Sequence, residues 1–88
     1  MYQLVISDRF KKNLRDFLKK HLELKPIFRE KLSILLTNPQ DSRLKTHKLT
    51  GKLKEFFAAS ITYEYRLIFH CHKNFIFLLA IGTHDEVY

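Results

Sequence analysis

His47, Glu64, Arg66 and His84 are the residues of this chain whose types best suit chemistry on a phosphodiester. Imidazole and carboxylate groups move protons near neutrality, and a guanidinium holds a phosphate through parallel hydrogen bonds. RNA can be cut with no more than that. A base takes the proton of the 2′-hydroxyl, a cation steadies the charge on the phosphate, and an acid protonates the departing 5′-oxygen. His47 lies in a basic stretch, Glu64 and Arg66 stand two apart on one face of a strand-like run, and His84 follows another such run. Tyr88 adds an aromatic ring able to stack on an unpaired base. Each residue also has a plainer reading. A lone loop histidine is commonly just solvated, Glu64 and Arg66 can form an exposed ion pair worth ~1 kcal/mol or less, and Tyr88 can pack on a sheet.

The charge points the same way without choosing a reaction. A formal net charge of +7 favours an anionic partner: nucleic acid, a membrane surface or an acidic protein. From Arg43 to Lys54 there are five Lys or Arg residues, one His and no acid, so Lys45, Lys48, Lys52 and Lys54 are candidates to grip phosphates. Six more basic residues lie between Arg9 and Lys20 against one acid, Asp16. Beyond Lys54 only Arg66 and Lys73 are basic. The run His70-Cys71-His72 puts two histidines on one strand face, but no third or fourth ligand follows at a recognisable spacing. No metal or organic cofactor is expected, and Cys71 reads as a small packing residue. Gly51 and Gly82 belong to no phosphate-cradling glycine loop.

These residues need a scaffold, and 88 residues with 45% hydrophobic content suffice for one domain spanning residues 1–88. The single cysteine excludes an internal disulfide framework. Residues 1–7 lack the pattern of a signal peptide, and the longest apolar run, Phe75 to Ile81, is far short of the ~18 residues of a membrane span. A cytoplasmic protein without a membrane partner is expected.

Leu4-Val5-Ile6 reads as a short strand, and Ser7 as the cap of a helix over about Asp8 to His21. Phe10, Leu14, Phe17, Leu18 and His21 form its apolar stripe. Pro26 suits the first turn of a second helix with Phe28, Leu32, Leu35 and Leu36 on its inner face, stopped by Asn38-Pro39. Gln40 to Lys54 reads as a long connection with a short extended piece at Leu44 to Leu49. Three strands follow, Glu55 to Ile61, Glu64 to Cys71 and Phe75 to Ile81, joined by gaps short enough for hairpins. The last is apolar on both faces and is expected to be the most buried. In the middle strand Tyr65, Leu67, Phe69 and Cys71 share one face, opposite Glu64, Arg66, Ile68 and His70. The order β-α-α-β-β-β predicts an α+β domain, two N-terminal helices packed on an antiparallel sheet.

The segments His47-Lys48-Leu49-Thr50-Gly51, Phe56-Phe57, Ile61 to Phe69 and Ile81 to Tyr88 resemble the RelE/ParE toxin superfamily, with the YafQ-like and YoeB-like branches nearest. The resemblance implies the same β-α-α-β-β-β fold. It implies an mRNA interferase: a metal-independent endoribonuclease that enters the A site of the 70S ribosome and cuts the message through its 2′-hydroxyl. It also implies a cognate antitoxin as partner, with operator DNA met only as part of the toxin–antitoxin complex. By position, His47 matches a YafQ-like histidine and a YoeB-like catalytic glutamate, and Glu64 an acidic position of both branches. Arg66 matches the YoeB-like phosphate-binding arginine, His84 the near-terminal catalytic histidine of both, and Tyr88 a YafQ-like terminal aromatic. The pattern departs in two places: Ser60 stands where YafQ-like toxins carry a second histidine, and Asp85 where YoeB-like toxins carry a tyrosine. The alternative within the superfamily is a non-enzymatic, ParE-like toxin or binding module acting on gyrase or another protein.

Overall fold

Ser7 ends one element and starts the next. The computed structural model describes residues 1–51 and 54–87; Gln3–Ile6 form strand β1 and Asp8–Lys20 form helix α1. The Ser7 hydroxyl accepts a hydrogen bond from the Phe10 amide at 3.1 Å, satisfying one orphan donor of the helix start. Asp8 in the first turn and Lys19 and Lys20 in the last complement the helix dipole. The helix stops one residue short of His21, whose ring packs against Phe17 and Tyr65 with both centroids 4.8 Å away. After a short turn at Leu22–Leu24, helix α2 spans Lys25–Thr37 with Pro26 in its first turn. Asn38 adopts an extended backbone ahead of Pro39, and α2 ends there. No helix among the described residues is long and apolar enough to cross a membrane.

The long connection carries a helical turn at Ser42–Leu44 and a two-residue strand, β2, at His47–Lys48. Strands β3 (Phe57–Ser60), β4 (Tyr65–His72) and β5 (Phe75–Thr83) follow, and a short helix, α3, occupies His84–Val87. The sheet order is β1-β5-β4-β3-β2, and each of the last four pairs antiparallel with its neighbour. Strand β1 differs: it pairs parallel with β5, Gln3 opposite Phe75 through Ile6 opposite Leu78. The sheet is therefore mixed. Parallel pairing needs a long crossover, and here everything between β1 and β5 supplies it.

Both helices lie on one face of this sheet. Phe10 and Phe17 of α1 and Phe28, Ile34 and Leu35 of α2 share a core with Leu67, Phe69, Ile76, Leu78 and Ile81. The alternation along β4 is as expected, with Leu67 and Phe69 facing the helices and Ile68 in a smaller cluster on the other face. Strand β5 does not keep one alternation. Ile68 pairs with Ala80 but Phe69 with Leu78, so Leu79 is an extra residue, and it is 45% exposed. This β-bulge switches the core-facing set from Ile76 and Leu78 to Ile81. It also qualifies the expected burial of β5: Phe75 and Phe77 are only half-buried, and β4 at the sheet centre is as deeply placed.

Past the bulge β5 has no strand on its outer side, because β1 has already ended at Ser7. The Asn13 side chain fills that place. Its Oδ1 accepts from the Ile81 amide at 3.0 Å, and its Nδ2 donates to the Ile81 carbonyl at 3.4 Å. A side-chain amide on α1 thus replaces the next backbone unit of β1. Asn13→Ala should strand both groups of Ile81 at a cost of about 1–3 kcal/mol. The expected fall in melting temperature is roughly 5–20 °C, read by calorimetry; an unchanged value would show that water serves Ile81 equally well.

Candidate nucleic-acid interface

The face of the sheet away from α1 and α2 is laid out by its register. His47, Ala58, Ile68 and Ala80 stand opposite one another across β2, β3, β4 and β5, and Ser60, Arg66 and Gly82 form the next row. Directly paired residues share a face, so His47 and Arg66 rise from one surface floored by alanine, serine and glycine. Strand spacing alone sets their Cα atoms about 12 Å apart. Leu49, Phe56 and Val87 pack over Ala58, Ile68 and Ala80 and give this face a small apolar base.

Arg66 does not pair with Glu64. Its Nη1 donates to the carbonyls of Thr62 and Tyr63, both at 2.8 Å, and of Tyr65 at 3.3 Å. Glu64 belongs to the turn before β4, where its amide donates to the Thr62 hydroxyl at 3.3 Å, and its carboxylate is exposed. The exposed ion pair that was one reading of Glu64 and Arg66 is absent. Neutral carbonyls fix the guanidinium without cancelling its charge.

His84 is positioned by a motif that runs Thr83-His84-Asp85-Glu86. The Glu86 Oε1 accepts from the Thr83 amide at 2.8 Å, while the Glu86 amide donates to the Thr83 hydroxyl at 3.3 Å. This reciprocal pair is a capping box, and it starts α3 immediately after the row that contains Arg66. The His84 Nδ1 lies 3.5 Å from Asp85 Oδ1, with the ring largely exposed. The hydrogen bond from the Thr83 amide is the main reason that the Glu86 carboxyl titrates below its ordinary range. The box is therefore complete at neutral pH and is lost as acidification protonates Glu86. A Cβ built on Gly82 would lie 3.0 Å from Glu86 Oε1 and 3.1 Å from Glu86 Cβ, so glycine is what lets α3 fold back onto β5.

His47 and Lys45 are aimed by the connection before β2. Asn38 Oδ1 accepts from the Gln40 amide, and Asp41 Oδ1 from the Arg43 amide, at 3.0 and 2.9 Å. Asp41 also takes a fork from the Arg43 guanidinium, 3.0 Å from Nε and 2.9 Å from Nη2. That fork, then the amide, pulls the Asp41 pKa down to about 2, so the clasp persists until strongly acid pH. Lys45 follows in the left-handed region with φ 49°, and the Thr46 hydroxyl donates to the Pro39 carbonyl at 2.6 Å. His47 Nδ1 sits 3.5 Å from the Lys45 carbonyl. Lys45, Lys48 and Lys54 are exposed. Lys52 and Tyr88 lie outside the described residues.

His70 and His72 stack with centroids 6.4 Å apart, and His70 Nδ1 lies 2.8 Å from the Glu55 carbonyl. Among the described residues no three of His, Cys, Asp and Glu gather as a ligand set. Cys71 packs against the main core, where burial pushes its thiol pKa up. Sequence reasoning missed α3, although Thr83-x-x-Glu86 is its signature. It also missed Lys31, Arg43 and Tyr63, which share a cleft with Lys45 and Arg66.

Comparison with solved structures agrees with this architecture. A metal-bound toxin from Helicobacter pylori is 27% identical with a TM-score of 0.82, each chain being covered in full. YafQ from E. coli strain BL21(DE3) is 18% identical with a TM-score of 0.83, over all of this chain and 99% of that one. The E. coli DinJ-YafQ toxin-antitoxin complex contains a chain that is 22% identical with a TM-score of 0.75, covering 99% of this chain and 97% of that one. Two helices on a mixed five-stranded sheet of this order make the fold that of the RelE-like toxins. More narrowly, the chain belongs to the YafQ family of bacterial toxins of type II toxin-antitoxin systems, whose model matches residues 2–88. No curated protein sequence matches it.

Gly82→Val should push α3 off the sheet while sparing the main core. The expected signs are lost NMR contacts between the Val87 and Ile68 methyl groups, and a melting temperature lower by about 5 °C or less. Retained contacts would mean that Glu86 simply swings aside.

Proposed function

We propose that this chain is an mRNA interferase: a ribosome-dependent endoribonuclease that cuts messenger RNA through the message's own 2′-hydroxyl and so halts translation. The observation that carries this reading is the setting of Arg66. A guanidinium held by backbone carbonyls on the face away from α1 and α2, between a row of small residues and the start of α3, keeps its charge for an outside anion. In this reading Arg66 holds the scissile phosphate and stabilises the charge that develops on it. His84 and His47 share the two proton transfers, with Glu64 in support. Lys45, Lys48 and Lys54, together with Lys52, neutralise neighbouring phosphates, and Tyr88 stacks on a base. No metal or organic cofactor takes part in the scheme.

The partner that restrains it is a cognate antitoxin, as DinJ accompanies YafQ in the E. coli complex. A groove of about 390 Å³ along α1 suits one: Leu14, Leu18 and Leu22 line it, with Lys11, Arg15, Lys19 and Lys25 at its rim. An amphipathic helix with acidic flanks complements both its floor and its edges. Association with such an antitoxin should slow and weaken as salt rises, since exposed charges are screened over about 8 Å at physiological ionic strength. Affinity unchanged between low and high salt would count against this surface.

The catalytic reading is tested on programmed ribosomes. Arg66→Ala and His84→Ala should each lower the cleavage rate by about a hundredfold or more while the protein still binds the ribosome. Arg66→Lys, which keeps the charge but loses the planar fork, should recover only part of the rate. Near-normal cleavage by both alanine variants would falsify the assignment. Inhibition of gyrase by a parent chain that leaves programmed ribosomes intact would move it to the non-enzymatic branch.

A further inference from the structure

Beside Arg66, where β4 begins, lies a cleft of about 270 Å³ lined by Lys31, Arg43, Lys45, Ser60, Thr62, Tyr63 and Arg66, with Ile61 at its base. We infer that this cleft is a binding subsite for one nucleotide of single-stranded RNA next to the one held by Arg66, its phosphate gripped by Lys31 and Lys45 and its base stacked on Tyr63. The inference rests on the nuclease reading for its choice of polymer and adds a contact outside the reacting group.

Three observations carry it. The first is uncompensated charge. Of the four cations around the cleft, only Arg43 has a carboxylate partner, Asp41, through the fork already described. Lys31, Lys45 and Arg66 have no ion pair among the described residues. Lys31 donates instead to the Arg43 carbonyl at 2.9 Å, which fixes its ammonium group at the rim, within Coulombic reach of Asp41 but out of ion-pair contact with it. A concave site lined by one sign of charge concentrates an anion.

The second is Tyr63, a large side chain that is 92% exposed. The turn beneath it is not loose. The Thr62 hydroxyl accepts from the amides of Glu64 and Tyr65 at 3.3 and 3.4 Å, the Ile61 amide donates to the Tyr65 carbonyl at 2.9 Å, and Arg66 clamps two carbonyls from below. A bare aromatic ring on a braced turn is a preformed stacking platform, and any base can use it. The third observation is the left-handed backbone of Lys45. With φ 49° it departs from the ordinary regions for a residue with a side chain, and the turn at Ser42–Leu44 holds it there beside the same cleft.

The test uses a fluorescein-labelled hexauridylate carrying 2′-O-methyl groups, which cannot be cut through its 2′-oxygen, and reads binding by anisotropy across a salt series. Tyr63→Ala should weaken binding about tenfold, and Tyr63→Phe should restore it, because stacking needs the ring and not the hydroxyl. Lys31→Gln with Lys45→Gln should weaken binding and flatten its salt dependence by about one phosphate contact. Lys12→Gln, on the exposed side of α1, is the charge control and should change little. Thermal melts of each variant separate lost contacts from lost folding. Parent-like binding by folded Tyr63→Ala and by the folded double variant would overturn the subsite, as would a parent chain that fails to bind the oligonucleotide at low salt. Cleavage of programmed ribosomes, measured in parallel, tells the two readings apart. Normal cleavage by both variants removes the subsite and leaves the nuclease standing. Ring-dependent binding by a parent chain that never cuts leaves the subsite and removes the nuclease.

Discussion

Two helices of thirteen residues can cover one face of a five-stranded sheet, and among the described residues there is no further long helix for the other. That shortage governs the rest of the structure. On the covered face, large side chains such as Phe10, Phe28, Leu35 and Phe69 exclude water and form the main core. On the bare face an equally apolar set would be an aggregation hazard. The sequence answers with small residues, Ala58, Ala80, Ser60 and Gly82, and with long polar ones, His47, Arg66 and His70. A surface left bare by economy of chain is thus also the surface free to meet a partner.

The two-faced sheet sets the electrostatics as well. Sixteen Lys and Arg residues face only nine acids, and two of those acids also hold backbone amides in place. Asp41 clasps the connection before β2, and Glu86 caps α3. Their lowered pKa values record work done on local structure. The positive field is left largely intact, which favours rapid encounter with a polyanion.

Much of this was legible in the residues. The cap at Ser7, the stop at Asn38-Pro39 and the alternation of β4 are local signals, each set within a few residues, and each matches the structure. The parallel pairing of β1 was not legible, because its partner is some seventy residues away and short gaps report only on neighbouring strands. The bulge at Leu79 escaped for a related reason: β5 is apolar on both faces, so a one-residue shift leaves no mark on its pattern. Of the candidate site, residue types were legible but partners were not. Glu64 and Arg66 stand two apart in sequence, yet Arg66 turns to the carbonyls of Thr62 and Tyr63. Lys31, on α2, shares a cleft with Arg66 because the chain after Asn38 turns back against α2 and brings the Arg43 carbonyl to the Lys31 ammonium.

The parallel pairing of β1 with β5 has a consequence for how such a protein is made. Its first strand has no partner in the sheet until residues 75–78 exist. Asn13 likewise waits for Ile81, and the capping box that sets His84 waits for Glu86. A ribosome synthesising this chain therefore carries an incomplete sheet until residues 75–86 have been made. The face that carries Arg66 and His84 is thus assembled only after β5 and α3 have emerged.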